Sequence, residues 1–197
     1  MTTNSKGEND ENFTTFITKE LAGTKTEKNL KEAYCGESKA RNNYTFFAKQ
    51  AEKEGYRSIA KIFESTAENE RQHAKIWFKL LNGGELHDTL ENLKTAAETE
   101  SYEWENMYLQ FVQDAKEEGF EEIACLFEKI RTIEKMHMSR YKRLIKELEN
   151  NTLLKKPVPK EWECEKCGYH YEGLEPPEMC PFCRHPQNYF FVAEKEN

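Results

Sequence analysis

The chain has 197 residues, a net charge of −7 and 33% charged residues. Its basic residues are scattered among acids, which argues against nucleic-acid or membrane binding and for a solvated helical surface laced with Glu/Lys pairs. No apolar run approaches the roughly 20 residues that span a bilayer, and residues 1–12 lack the basic-then-apolar order of a secretion signal, so the protein reads as cytoplasmic, where its six cysteines point to metal ligation before disulfides.

In chain order, residues 1–25 form a tail and lead-in, with the polar, acidic stretch 1–12 expected to be disordered. Ala33, Glu37, Ala40, Tyr44, Phe47 and Ala51 then share one face of a first helix. Ile59, Phe63, Thr66, Glu70, His73, Trp77 and Leu80 share one face of a second. A third is expected over residues 93–116. Ile123, Phe127, Ile130, Glu134, His137, Tyr141, Leu144 and Leu148 share one face of a fourth. Gly55 and Gly119 are tight hairpin turns, and Asn82-Gly83-Gly84 ends the second helix. Residues 85–92 are expected to begin a longer crossover. Two short hairpins joined by one long crossover make an all-α, ferritin-like four-helix bundle over residues 26–150. Residues 151–161, with Pro157 and Pro159, read as a linker. Residues 162–197 read as a small C-terminal β domain, rich in Cys, Pro, Gly and aromatics and too poor in aliphatics to hold together without a staple.

The helical part is duplicated. Residues 44–73 match 108–137, placing Tyr44 on Tyr108, Phe47 on Phe111, Glu70 on Glu134 and His73 on His137. A repeated Glu-x-x-His on helices is how a bundle builds a pair of metal ions. Height along the helices supports this. Glu37, Glu70 and His73 each lie roughly 23–27 Å from Gly55 at about 1.5 Å per residue, as Glu100, Glu103, Glu134 and His137 do from Gly119. One glutamate on its own reads best as a surface residue of an acidic chain. Seven groups at one level, on mostly apolar stripes, do not. Five core-facing carboxylates left ionised and unpaired carry a prohibitive cost, and a pair of iron or manganese ions resolves it.

The repeat has one irregularity. Strict register sets Glu37 opposite Ser101, and one inserted residue between Glu100 and Tyr108 restores Glu100 as its equivalent. In a helix such an insertion is a π-bulge. Tyr44 and Tyr108 project toward the cluster, to hydrogen-bond ligating carboxylates or simply to pack in the core. Trp77 and Trp104 read as core, Cys35 and Cys125 as small buried thiols, and His87 as solvated. Arg41 and Arg71 either pair with carboxylates or sit on the surface.

In the tail, Cys164-x-x-Cys167-Gly168-Tyr169 and Cys180-Pro181-x-Cys183 form two knuckles that close a tetrathiolate. Zinc and iron both suit it, and spacing does not choose between them. His170 and His185 are unneeded as ligands and read as surface residues.

Gly36-Glu37-Ser38, Ala40-Arg41-Asn42-x-Tyr44, Glu70-Arg71-x-His73-Ala74, Glu100-x-x-Glu103-Trp104 and Glu134-x-x-His137 resemble the rubrerythrin family over about residues 28–190. The resemblance implies that Glu37, Glu70, Glu100, Glu103, Glu134 and His137 ligate two irons when oxidised, and that His73 replaces Glu103 on reduction. Charge counting rationalises the exchange: two ferrous ions are neutralised by four glutamates, so a fifth is surplus, whereas two ferric ions call for it. Glu103 and His73 are thus the catalytic pair, with Tyr44 and Tyr108 in support. Trp162, Tyr169, Tyr171 and Phe190 look like the aromatic core of rubredoxin, which favours a single redox iron on Cys164, Cys167, Cys180 and Cys183, with zinc as a substitute.

The family implies a peroxidase that reduces hydrogen peroxide to water and protects against oxidative stress. Electrons arrive through the tail iron from an external rubredoxin or NAD(P)H-dependent reductase, since no Gly-x-Gly-x-x-Gly fingerprint is present. It also implies a homodimer in which the tail of one subunit serves the bundle of the other. The alternatives are ferritin-like iron oxidation and storage, a zinc-ribbon docking module on a helical scaffold, and an oxygenase.

Overall fold

The computed structural model describes residues 13–193; the tail read from residues 1–12 lies outside the described residues. The chain divides into two compact units between His87 and Asp88. The first holds α1 (Lys25–Lys53) and α2 (Arg57–Leu81). The second holds α3 (Thr89–Tyr102), α4 (Tyr108–Glu117), α5 (Glu121–Glu149) and a C-terminal sheet of β1 (Lys160–Cys164), β2 (His170–Gly173) and β3 (Phe190–Val192). The segment Glu103–Met107 joins α3 to α4 without a break, so the two run as one rod. The chain is thus mostly helical, with four rods and a small sheet, the expected fold class.

Each unit builds an antiparallel helical hairpin from the same local chemistry. Thr24 caps α1 by accepting from the Glu27 N–H at 3.0 Å, while Glu27 reaches back to the Gly23 N–H at 2.7 Å, a reciprocal capping box. The turns are near-copies. Gly55 and Gly119 adopt φ of +86° and +83°, a region other residues enter only at a cost of about 1–2 kcal/mol. The chain then folds back through Tyr56 N–H to Ala51 O at 2.8 Å and Phe120 N–H to Ala115 O at 2.7 Å, which closes the helix ends. Small residues let the helices approach: Ala48, Ala51 and Ala60 are buried in the first hairpin, and Val112, Ala115 and Ala124, at the same offset, in the second.

The lead-in is docked. Phe13 N–H donates to Gly84 O at 2.8 Å, and a Cβ on Gly84 would stand 2.3 Å from the Thr14 nitrogen. Only glycine admits this backbone approach.

The long crossover expected from residues 85–92 is not there. Asp88 Oδ1 accepts from the Glu91 N–H at 2.9 Å and starts α3 at Thr89, so only residues 82–88 connect α2 to α3. Cys35 and Cys125, expected to be buried, are exposed on their hairpins; each lies beside, not on, the stripe that faces the neighbouring helix. Among the described residues no helix is long and apolar enough to cross a membrane.

The sheet order is β2-β1-β3, antiparallel throughout. Trp162 and Phe190 are buried with Cys164 and Cys180, and Leu154 packs on this cluster. Lys156 ties the linker down, with Nζ 3.0 Å from the Glu147 carboxylate and N–H donated to Leu174 O at 2.7 Å.

Candidate metal centres

α1 and α2 bring Glu37, Glu70 and His73 together, with one ligand atom from each lying within 4.8 Å of the others. His73 Nδ1 is 2.8 Å from Glu70 Oε2 and 4.0 Å from Glu37 Oε1. The second hairpin repeats the triad with Glu100, Glu134 and His137 within the same 4.8 Å. Here His137 Nδ1 is 2.7 Å from Glu134 and 3.5 Å from Glu100. Each triad is complete within its own hairpin.

The inserted residue explains why Glu100, not Ser101, occupies the position of Glu37. The segment Glu103–Met107 is a π-helix, and Tyr108 N–H donates to Glu103 O, five residues back. Upstream of this bulge the register shifts by one residue, which turns Glu100 toward Glu134 and His137. The corrected register also sets Glu103 opposite Ala40, so the second hairpin carries a carboxylate that the first lacks.

The electrostatics ask for a cation. Burial raises the Glu100 carboxyl above its ordinary value, and the hydrogen bond and charge of Glu134 raise it further. Burial and the Glu134 charge do the same to Glu103. Burial, with the charges of Glu103 and Glu134, raises the Tyr108 hydroxyl. Carboxylates that crowd one another this way, beside an imidazole, are the donor set of a hard or borderline metal. The residues present fit a pair of irons.

Tyr108 packs against Phe111 and Phe127, with ring centroids at 5.8 and 6.0 Å, and faces Glu103 and Glu134 closely enough to feel their charge. Tyr44 packs in the same way against Phe47 and Phe63, both at 6.2 Å. Trp77 and Trp104 are half-buried. Arg71 pairs with Glu68 at 2.7 Å and holds that carboxyl at about 2, while Arg41 is exposed beside Asn42.

Two features escaped the sequence reading. Arg131 donates from Nε to Trp104 O at 2.9 Å, inside the bulge. The repeat carries a signal for it, since Ala67 stands at the matching position of the hairpin without a bulge. His185, read as a surface residue, is half-buried with Nδ1 3.3 Å from Cys183 Sγ and its ring against Tyr189. The short Cys183-Arg184-His185 turn brings it there, with Arg184 at φ +64°. His170 is exposed and pairs with Glu161 at 2.9 Å.

The four tail sulfurs also lie within 4.8 Å of one another. Cys164 and Cys183 are 3.6 Å apart, and Cys167 and Cys180 3.7 Å. Those separations far exceed a disulfide bond and match the edge of about 3.8 Å that four sulfurs about 2.3 Å from one metal would span. Each knuckle is formed by backbone: Gly168 N–H donates to Cys164 O at 2.8 Å and Arg184 N–H to Cys180 O at 3.0 Å. The thiols cannot all ionise unaided. Burial pushes Cys167 up to about 12, whereas at Cys180 burial is outweighed by the Cys183 and Phe182 N–H groups, which bring it down to about 7. A shared cation is what makes all four thiolates.

Known proteins resemble this chain along most of its length. A family model described as Rubrerythrin matches residues 28–145, and one described as Rubrerythrin, rubredoxin-like domain matches residues 162–191. Rubrerythrin-1 of Clostridium acetobutylicum is 46% identical over 90% of this chain and 98% of its own length. The rubrerythrin of Porphyromonas gingivalis is 43% identical over 89% and 94%. The structure of fully reduced, all-ferrous nigerythrin is 30% identical over 94% of this chain and 95% of that one, at a TM-score of 0.34, so the assignment rests on the sequences.

Proposed function

We propose, from the premise that this chain belongs to the rubrerythrin family, that it is a non-haem di-iron peroxidase reducing hydrogen peroxide to water. Membership makes it an iron-binding oxidoreductase with a di-iron carboxylate site and a rubredoxin-like four-cysteine site. The peroxidase reading goes further. It is carried by one observation: two matching Glu-Glu-His triads, one with an extra carboxylate, in a chain that also holds a tetrathiolate suited to one-electron transfer.

When bound, the iron pair supplies the two electrons that turn one hydrogen peroxide and two protons into two waters. Glu37, Glu70, Glu100, Glu134 and His137 are the residues that would hold the pair. Glu103 would balance the higher charge of the oxidised pair, and His73 would be the neutral donor suited to the reduced one. Tyr108, near enough to Glu103 and Glu134 to feel their charge, would orient their carboxylates from the third rod, and Tyr44 occupies the equivalent place on the first. Cys164, Cys167, Cys180 and Cys183 would hold a single iron able to take electrons one at a time from an external cytoplasmic rubredoxin or NAD(P)H-dependent reductase. A storage protein has no use for such a dedicated entry.

The test is metal analysis with a coupled assay. Iron-loaded protein is expected to hold two irons on the carboxylates and one on the cysteines. With a reductase and NADH it is expected to consume peroxide in equimolar amount with NADH. Iron loading without NADH-dependent peroxide consumption contradicts the reading.

A further inference from the structure

The bulge at Glu103–Met107 is one of two registers open to the third rod, and a side chain on α5 bears on which is adopted. This inference rests on the metal-site reading above, which gives Glu100 and Glu103 their task. In an α-helix the Tyr108 N–H would donate to Trp104 O, four residues back. Here it donates to Glu103 O instead. Were the surplus residue taken up by continuous α-helix, everything upstream would turn by about 100° and move by about 1.5 Å against α4. Ser101 would then face Glu134 and His137 in place of Glu100, and Trp104 would stand where Glu103 does.

The π register takes the α-helical donor away from Trp104 O. A half-buried carbonyl left so disfavours the bulge. Arg131 supplies the replacement, with Nε donating to that oxygen at 2.9 Å. The bond is charge-assisted, and the arginine side chain is only 23% exposed, so water competes weakly for it. The rest of the guanidinium fork is fixed from behind: Nη1 donates to Glu128 Oε1 at 3.0 Å, one turn back on α5. One turn further on, Lys135 Nζ stands 4.8 Å from the centre of the Trp104 ring. Trp104, next to Glu103 in the chain, is thus held by its backbone and by its side chain.

The first hairpin has neither the surplus residue nor these contacts. Its α1 runs unbroken from Lys25 to Lys53. Arg131 and Lys135 match Ala67 and Arg71 there, and Arg71 turns to Glu68 at 2.7 Å. We propose that Arg131 is a positioning residue: by taking the Trp104 carbonyl it selects the π register of Glu103–Met107, and that register sets Glu100 and Glu103 on the face of the third rod that serves Glu134 and His137.

The test combines Arg131→Ala with deletion of Asn106, an exposed residue of the bulge. Deletion removes the surplus residue, so an unbroken α-helix keeps Glu100 and Glu103 in place without Arg131. Retention of the carboxylate irons against a chelator is followed in full-length, iron-loaded protein, with the tail iron as internal control. Arg131→Ala is expected to shorten retention by at least about tenfold, as for other residues that orient metal ligands. Adding the deletion is expected to restore it to the level of the unmutated chain. Normal retention in Arg131→Ala would overturn the proposal. So would failure of the deletion to restore it, because shortening the helix repairs neither a lost Glu128 pair nor lost packing, and so would loss of the irons from the deletion alone. If Arg131→Ala does not fold, the doubly altered chain decides: folded with both irons supports the proposal, unfolded overturns it. The register itself is read by NMR in the metal-free full-length chain, where coupling across the hydrogen bond links the Tyr108 nitrogen to the Glu103 carbonyl carbon. In Arg131→Ala that coupling is expected to pass to the Trp104 carbonyl; a coupling that stays on Glu103 overturns the proposal. An unmutated chain that binds no iron pair refutes the metal-site reading instead, and the coupling still decides the register.

Discussion

Glu103 gives the second hairpin a carboxylate that the first lacks. Its counterpart is Ala40, so the asymmetry of the site rests on one carboxylate. Glu103→Ala is expected to lower peroxide turnover by at least about tenfold, since even outer partners of metal ligands cost that much, while circular dichroism stays unchanged. Full turnover in this variant would refute the charge-balancing role. The raised carboxyl of Glu100 makes a separate prediction for metal-free protein. A carboxyl raised in the folded state binds more protons there than when unfolded, so stability is greatest at or below 4.5, its ordinary value, and is lost as pH rises through the raised value. The Tm of the metal-free protein is expected to fall over that window, and iron loading to remove the fall. A metal-free Tm that rises through the same window contradicts the account. Most of these residues were legible in the sequence, because duplicated spacing and equal height are one-dimensional properties. His185 was not, because its approach to Cys183 depends on a positive-φ turn at Arg184.

Elements explain what spacing alone left open. The π-helix at Glu103–Met107 could be inferred from one surplus residue between Glu100 and Tyr108, since a helix can absorb an insertion only by bulging. Its anchor, Arg131, is a tertiary contact that no local pattern encodes. Arg131→Ala is expected to destabilise the folded protein by about 1–2 kcal/mol in denaturant titration, more than the neighbouring exposed Lys129→Ala. Equal effects would show that the bulge does not depend on this arginine. The start of α3 was misplaced for a different reason. Asp88-Thr89-Leu90-Glu91 has the spacing of a capping box, but the expected crossover obscured it. Local capping chemistry prevailed, and the connection shrank to residues 82–88.

At the scale of the whole molecule, the proposed function assigns the electron store and its entry point to different elements. The helical rods carry the carboxylates, the three-stranded sheet carries the tetrathiolate, and Lys156 fastens the linker between α5 and β1 to both Glu147 and Leu174. This division predicts separable functions. Cys180→Ser is expected to remove the tail iron and abolish reductase-driven turnover, while protein reduced chemically beforehand still completes one reaction with peroxide. Loss of that single turnover as well would mean that the two centres do not act independently. The most direct measurement is anaerobic stopped-flow reoxidation of the fully reduced, iron-loaded protein, mixed separately with hydrogen peroxide and with dioxygen. The account predicts fast reoxidation by peroxide and much slower reoxidation by dioxygen. The reverse preference would contradict it and assign the same carboxylate cluster to iron oxidation and storage.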